Sequence, residues 1–261
     1  MKAFFIALQF LTRIHLVRQT VWTDEDFGRS VRYFPLVGLV LGLVYLIGVI
    51  MVAVLPEYLG WQFPEHLQAA ILVILPILAT GGIHCDGFMD TADGIFSGRD
   101  RERMLEIMKD SCSGSFGVVA FGILLLLQYS VVMDMDTDTM LEALSVMPIV
   151  GRLMMTMVIC LCPYARPEGI GKAFARYAGK KTCSLVVLYT SALLIILYDW
   201  QAEAAMMAAM AFTYFFANYV VKRLGGVTGD VYGAVCILAE LVVLVFYLLF
   251  AMVQTGGGSA L

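Results

Sequence analysis

Seven stretches of this 261-residue chain are apolar over most of the length needed to cross a lipid bilayer. They are Phe34–Leu55, Leu67–Ile83, Phe116–Met133, Met140–Cys162, Cys183–Tyr198, Ala204–Val221 and Val231–Val253. A spanning helix takes about 20 mostly apolar residues, so the second and fifth stretches need a few flanking residues to reach across. Inside hydrocarbon every backbone N–H and C=O must be satisfied by the chain itself, which leaves helices and closed barrels. The ten-residue segments of alternating polarity that mark barrel strands are missing. The fold expected is all-α: a polytopic integral membrane protein of about seven transmembrane helices. Its 61% hydrophobic and 15% charged residues and mean hydropathy of +0.85 exclude an ordinary soluble domain, which is nearer half apolar and a quarter charged. Residues 1–255 are expected to form one membrane-embedded catalytic domain, and 256–261 a flexible tail.

The first 18 residues do not resemble a cleavable signal, because Gln9, Arg13 and His15 interrupt them and no small-residue cleavage site follows. Phe4, Phe5, Leu8, Leu11 and Leu16 predict an N-terminal interfacial amphipathic helix lying on the membrane. The six cysteines stand singly apart from Cys160-Leu-Cys162, so neither a zinc site nor a disulfide framework is expected.

Charge divides the loops sharply. Glu57–His66, Asp134–Thr139 and Asp199–Glu203 contain acids and no Lys or Arg. The basic residues fall in the intervening segments, from Arg13, Arg18 and Arg29 through Arg99–Lys109 and Arg166–Lys181 to Lys222 and Arg223. Basic loops stay inside, which predicts a cytoplasmic N-terminus and an external C-terminus. No inverted repeat relates the halves, which counts against a transporter.

The segment from Gly81 to Arg99 is the richest in chemistry. Asp86, Asp90 and Asp93 recur at i, i+4 and i+7, which places three carboxylates on one face of a helix. Their mutual repulsion near a low-dielectric boundary would be relieved by a divalent cation, and hard oxygen donors at an aqueous edge suit Mg²⁺ or Mn²⁺. Phe88, Met89 and Ile95 lie opposite, so the acids form a stripe, although a solvated acidic helix end is the simpler alternative. His84 beside it is a ligand neighbour, a proton carrier or a structural histidine. Downstream, Glu106 pairs by spacing with Arg103 and Asp110, as on a salt-bridged surface helix. The small residues from Ser111 to Gly117 open the third stretch, where free N–H groups favour anions. Gly225-Gly-Val-Thr-Gly-Asp230 opens the last one. Its glycines and Thr228 can cradle a phosphate, and Asp230 can complete a metal site or simply cap the helix. Arg152 lies mid-span, where an unpaired charge costs a few kcal/mol or more. It needs a carboxylate or a substrate phosphate. Arg166 and Lys172 follow in the next basic loop.

A metal held by aspartates among arginines and glycine-rich turns is equipment for phosphoryl transfer. No Walker loop, kinase set, nucleophile elbow or HExxH motif is present. These features alone predict a membrane phosphotransferase that takes an activated substrate, nucleotide-linked or otherwise, from the cytoplasm.

Several motifs together resemble the cobalamin synthase family, the adenosylcobinamide-GDP ribazoletransferases. They are Gly82-Ile-His84-Cys-Asp86-Gly-Phe-Met-Asp90-Thr-Ala-Asp93-Gly, Ser97-Gly-Arg99, Glu106-Ile-Met-Lys-Asp-Ser111, and Gly225-Gly-Val-Thr-Gly-Asp230. Gln9-Phe-Leu-Thr-Arg13 and Tyr33-Phe-Pro-Leu-Val-Gly38 also fit the pattern. The resemblance implies the last assembly step of cobalamin. Adenosylcobinamide-GDP and alpha-ribazole, or its 5′-phosphate, give adenosylcobalamin, or its 5′-phosphate, plus GMP, with Mg²⁺ as cofactor in the bacterial inner membrane. Mapped residue by residue, it implies Asp86, Asp90, Asp93 and Asp230 as metal ligands, and His84 or a carboxylate as proton acceptor. The substrate-binding set is Arg13, Ser97, Arg99, Lys109, Ser111, Arg152, Arg166 and Thr228. It leaves room for a homo-oligomer or association with other cobalamin-assembly enzymes, and gives no reason to expect nucleic acid. The CDP-alcohol phosphotransferases are comparable only in mechanism, because Asp86-Gly87 is followed by Asp90 where that family continues with Ala-Arg. A lipid phosphotransferase of that kind and an ion-coupled transporter are the competing readings.

Overall fold

The computed structural model describes residues 2–17 and 22–257, the side chains of 255–257 excepted. Among the described residues the chain is helical, and the one extended pairing is an isolated bridge between Tyr164 and Val227. Six helices are long and apolar enough to cross a membrane, and a further pair, bent by 93°, passes only when taken together. Among the described residues the seven apolar stretches thus become six continuous candidate spans and one pair of helices broken by a sharp bend.

Helix α1, Lys2–Leu11, forms where the amphipathic pattern predicts it, but its apolar face meets protein. Ile6, Ala7, Leu8 and Leu11 are buried, and Phe4 stacks edge-on against Tyr33. The Lys2 ammonium, 2.6 Å from the Asp26 carboxylate, ties the helix to its neighbour. The face expected on lipid is therefore covered by the chain itself, and only Leu16 beyond the helix remains exposed. Arg18 lies outside the described residues.

The first span begins about ten residues earlier than its apolar stretch. Thr23 caps α2, Asp24–Ser30, by accepting the Asp26 N–H at 3.1 Å. A short 3-10 turn at Val31–Tyr33 leads into α3, Phe34–Val49, which has Pro35 in its first turn, where no N–H is missed. A π turn at Ile50–Val54 and a last short helix, α4 (Leu55–Tyr58), complete the span.

The broken span joins α5, Glu65–Thr80, to α6, Ile83–Phe96. Gly81 and Gly82 lie between them at φ 68° and 75°, a conformation that costs other L-residues but not glycine. Two such residues in succession end one helix and start the next at a steep angle. The remaining elements are α7 (Arg101–Ile107), α8 (Ser115–Met133), α9 (Thr137–Leu161), α10 (Ile170–Tyr177), α11 (Lys180–Leu197), α12 (Trp200–Leu224) and α13 (Gly229–Gly257). Helix α13 runs on through Gly256 and Gly257, into the segment expected to be tail; 258–261 lie outside the described residues. All six cysteines are free thiols.

Helix α9 is the axis of the bundle and is buried over most of its length. Between membrane helices there is little hydrophobic gain, so small residues and close backbone approach supply the packing. On one side Gly38 and Gly42 of α3 lie against the carbonyls of Pro148 and Ser145, where a Cβ would collide. On the other side Gly151 faces Cys236 and Glu240 of α13. One turn of loop-end chemistry recurs at the acidic end: Asp136 caps α9 through the Thr139 N–H, and Asp199 caps α12 through the Gln201 N–H, each at 2.8 Å. The acids of the loops lacking Lys and Arg are thus partly explained as helix caps.

Arg152 is fully buried and forms an ion pair and hydrogen bond with Glu240, joining α9 to α13. Truncating one member of such a pair leaves an uncompensated buried charge. Arg152→Met alone should therefore lower unfolding stability in detergent by about 3–5 kcal/mol. The double substitution Arg152→Met with Glu240→Leu should recover most of that loss, as read by thermal unfolding monitored by circular dichroism.

Candidate active site

Helix α6 lies between α8 and α13, and glycine sets how closely it approaches. A Cβ on Gly87 would stand 2.7 Å from the Asp230 carbonyl, and one on Gly233 would stand 3.2 Å from the His84 Cα. The backbones of α6 and α13 therefore touch, and Asp86 comes beside Asp230 at the start of α13. Asp90, one turn along α6, is within electrostatic reach of Asp86, Asp93, Asp230 and Arg166.

Asp230 is held from two sides. The Thr228 hydroxyl donates to its Oδ2 at 3.1 Å, and the Arg166 guanidinium lies 2.9 Å from the same oxygen. The Arg166 Nε remains buried without a hydrogen-bond partner. Arg166 comes from the segment between α9 and α10, which is fixed to the glycine turn before α13. Ala165 N–H donates to the Val227 carbonyl at 2.9 Å, and Val227 N–H donates to the Pro163 carbonyl at 2.8 Å. A Cβ on Gly226 would come 2.6 Å from that Pro163 oxygen, so glycine is needed where the two segments meet. Burial raises the Tyr164 phenol above its ordinary range, and the Arg166 charge opposes the rise.

These groups open onto a cavity of about 740 Å³. Its rim carries Asp86, Glu102, Glu106, Lys109, Arg166 and Glu168. Its floor is formed by buried side chains, among them Leu11, Met155, Ile159, Phe174 and Tyr232, with His84 beside them. That volume falls within the range of small-molecule sites, and an apolar interior with a few polar groups is their usual composition.

The structure brings His84, Asp86, Asp90, Asp230, Lys109 and Arg166 of the expected residues to this region. It places others differently. Asp93 is buried, and its two oxygens accept the N–H groups of Gly114 at 2.7 Å and Gly117 at 2.9 Å. Gly114 is the N-cap of α8 and has no side chain of its own, so Asp93 supplies the cap from another helix. Expected as a metal ligand, it is engaged as an anchor. Arg152, expected on substrate phosphate, is given to Glu240. Thr228, also expected on phosphate, is fully buried; it accepts the Val231 N–H at 3.4 Å and orients Asp230. Ser97 turns its hydroxyl back to the Gly94 carbonyl at 2.7 Å. Arg13 lies over the bend, with its N–H on the Ala79 carbonyl at 2.9 Å and its guanidinium against Gly81. Arg99 and Ser111 are exposed and do not line the cavity. Sequence reasoning gave no role to Tyr164, Tyr232, Phe10 or Phe174, because an apolar or aromatic residue reads alike whether it faces lipid, protein or a cavity.

The donor set suits a hard cation. Asp86, Asp90 and Asp230 offer carboxylate oxygens, and Arg166 offsets them at close range. Among the described residues no three His, Cys, Asp or Glu side chains converge on one point. Mg²⁺ does not require such convergence, since it keeps several waters and is usually held by one or two carboxylates together with substrate phosphates. The residues present therefore fit Mg²⁺ bound jointly with a phosphate ligand.

The fold and site define a multi-pass membrane protein with a carboxylate-rimmed cavity at its basic end, equipped for phosphate chemistry. Residues 3–248 match the family described as cobalamin-5-phosphate synthase, and the chain belongs to that family. It is 38% identical over 250 residues to an adenosylcobinamide-GDP ribazoletransferase of Desulfitobacterium hafniense (strain Y51), covering 94% of this chain and 95% of the relative. It is 34% identical over 267 residues to the protein of that name from Clostridioides difficile (strain 630), covering 97% and 99%. The protein of that name from Pseudomonas fluorescens (strain Pf0-1) is 35% identical over 251 residues, covering 96% and 100%. No solved structure matches the chain.

Removal of the Asp93 anchor should cost stability. Asp93→Ala is expected to destabilise the protein by about 0.5–2 kcal/mol, the range for a lost helix cap, seen as a lower thermal midpoint in detergent. A variant as stable as the parent would overturn the anchoring role.

Proposed function

We propose that this chain joins adenosylcobinamide-GDP to alpha-ribazole, or to alpha-ribazole 5′-phosphate, giving adenosylcobalamin, or its 5′-phosphate, and GMP. The observation that carries the reading is the meeting of Asp86, Asp230 and Arg166 at the rim of the cavity, with Asp90 one turn along the helix from Asp86 and within electrostatic reach of all three. It occurs in a chain aligned over nearly its whole length with relatives named for that activity.

The ribose 3′-hydroxyl oxygen of the acceptor attacks the phosphorus carried on the aminopropanol arm of the corrinoid. A new O–P bond forms, the bridging O–P bond of the pyrophosphate breaks, and GMP leaves with the electron pair. The hydroxyl proton passes to a neighbouring base, for which Asp86 on the rim and the unpaired His84 Nε2 are placed. Arg166 and Lys109 hold and orient the pyrophosphate, as guanidinium and ammonium groups do for phosphate oxygens. One or two of Asp86, Asp90 and Asp230, together with the substrate phosphates, would hold Mg²⁺, which when bound neutralises charge on the phosphate oxygens and lowers the pKa of the attacking hydroxyl.

The protein sits in the bacterial inner membrane with its basic end, and so its cavity, facing the cytoplasm. Retention of basic loops inside supports this orientation. The position of the carboxylates at a cavity rim, away from mid-span, favours chemistry over ion-coupled transport.

Asp90→Asn should abolish Mg²⁺-dependent GMP release from adenosylcobinamide-GDP while the protein still accumulates folded in membranes. The measurement is GMP formed by the purified full chain across a Mg²⁺ titration. Parental activity in that variant would remove Asp90 from the site.

A further inference from the structure

Two buried polar atoms at the cavity floor have no hydrogen-bond partner: His84 Nε2 and the Tyr232 hydroxyl. Their residues are only 5% and 3% exposed. A buried polar group without a partner costs about 1–3 kcal/mol, and both of these line the cavity. The surfaces around them are apolar: Phe174 and Phe10, stacked edge-on with centroids 5.2 Å apart, and Met155 and Ile159 from α9. The charged groups stand at the rim. The cavity is therefore sorted, with charge outside and an apolar floor beneath which lie two buried, unpaired hydrogen-bonding atoms.

We propose that this floor binds the acceptor nucleoside, with its base against Phe10, Phe174, Met155 and Ile159, and that Tyr232 and His84 supply its buried hydrogen bonds. The inference rests on the transferase reading and assigns the two substrates to different parts of one cavity. Size is the first reason. A cavity of about 740 Å³ matches a small-molecule ligand, whereas a corrinoid macrocycle with its side chains and a nucleotide is several times larger. The corrinoid stays outside, and only its pyrophosphate reaches the rim, where Arg166 and Lys109 lie. Polarity is the second reason. The guanine of the donor carries amide, amino and ring-nitrogen groups, most of which would go unpaired on this floor at a desolvation cost. The benzimidazole of alpha-ribazole presents mostly apolar edge and one free ring nitrogen. Tyr232 and Met155 thereby become specificity-determining residues for the base that is accepted.

The test is steady-state GMP release by the full-length protein in detergent or vesicles, with each substrate varied in turn. Tyr232→Phe, which removes one oxygen and no packing, should raise KM for alpha-ribazole by about three- to tenfold, the worth of one hydrogen bond, and leave KM for adenosylcobinamide-GDP unchanged. Met155→Phe, which narrows the floor, should shift preference toward a ribonucleoside with a smaller base by about tenfold or more. Equilibrium binding of alpha-ribazole to the parent protein without donor should be weakened by both substitutions. If instead both variants raise the donor's KM and leave that of alpha-ribazole unchanged, or if GMP rather than alpha-ribazole loses affinity for them, the floor belongs to the donor and the proposal is overturned. Failure of the parent protein to release GMP at all would count against the transferase reading itself, a distinct result.

Discussion

One buried ion pair holds the frame on which the site is built. Arg152 of α9 and Glu240 of α13 are enclosed within a membrane protein, where neither charge could persist alone. Their pairing fixes α13 against the central helix. The start of α13 then presents Asp230 to the rim, and its Gly233 accepts the backbone of α6 at His84. Tyr45 and Cys236 lie near enough to sense both charges, so polar groups in the span gather around this pair. Breaking it would disturb α13, and through α13 the contact that aligns Asp86 with Asp230.

The fold class was legible because the bilayer imposes a length. Apolar runs of spanning size, separated by loops sorted by charge, leave few other architectures. The N-terminal helix was legible as an amphipathic segment, but its surroundings were not. The pattern at Leu8 and Leu11 states that one face avoids water, and either lipid or protein satisfies that. Here α2 and α3 supply the surface, and Lys2 pairs with Asp26 to latch it. The bend at Gly81–Gly82 left its trace as two adjacent glycines. Their spacing alone did not distinguish close packing from two successive left-handed residues.

The site was legible where its parts are local and obscure where they are distant. Asp86 and Asp90 share a helix face by spacing alone. Asp93 continues the same periodicity, yet its oxygens go to Gly114 and Gly117, more than twenty residues away, and no periodicity reveals such a partner. Arg152 announced its need for a counter-charge. Glu240 is the one acid within the last apolar stretch, so the pairing could have been deduced by matching the two charges that lie mid-stretch. The sorting of the cavity into charged rim and apolar floor had no sequence signature, because Met155, Ile159 and Phe174 differ in no local way from residues that face lipid or the core.

The broken span resolves a conflict between two environments. Helix α5 must be apolar enough for lipid, while α6 must carry carboxylates to water and phosphate. A single straight helix would have carried Asp86 and Asp90 along the bundle axis, away from the loop that bears Arg166. Turning through 93° lays α6 across the start of α13 instead, so that its acids meet Asp230 at the basic end. The turn also leaves α6 with ends that need support. Gly82 lets it begin without a helical neighbour, and Asp93 near its far end is secured by the first turn of α8. The acid that accepts the N–H groups of Gly114 and Gly117 is thus the one that keeps the other two in place.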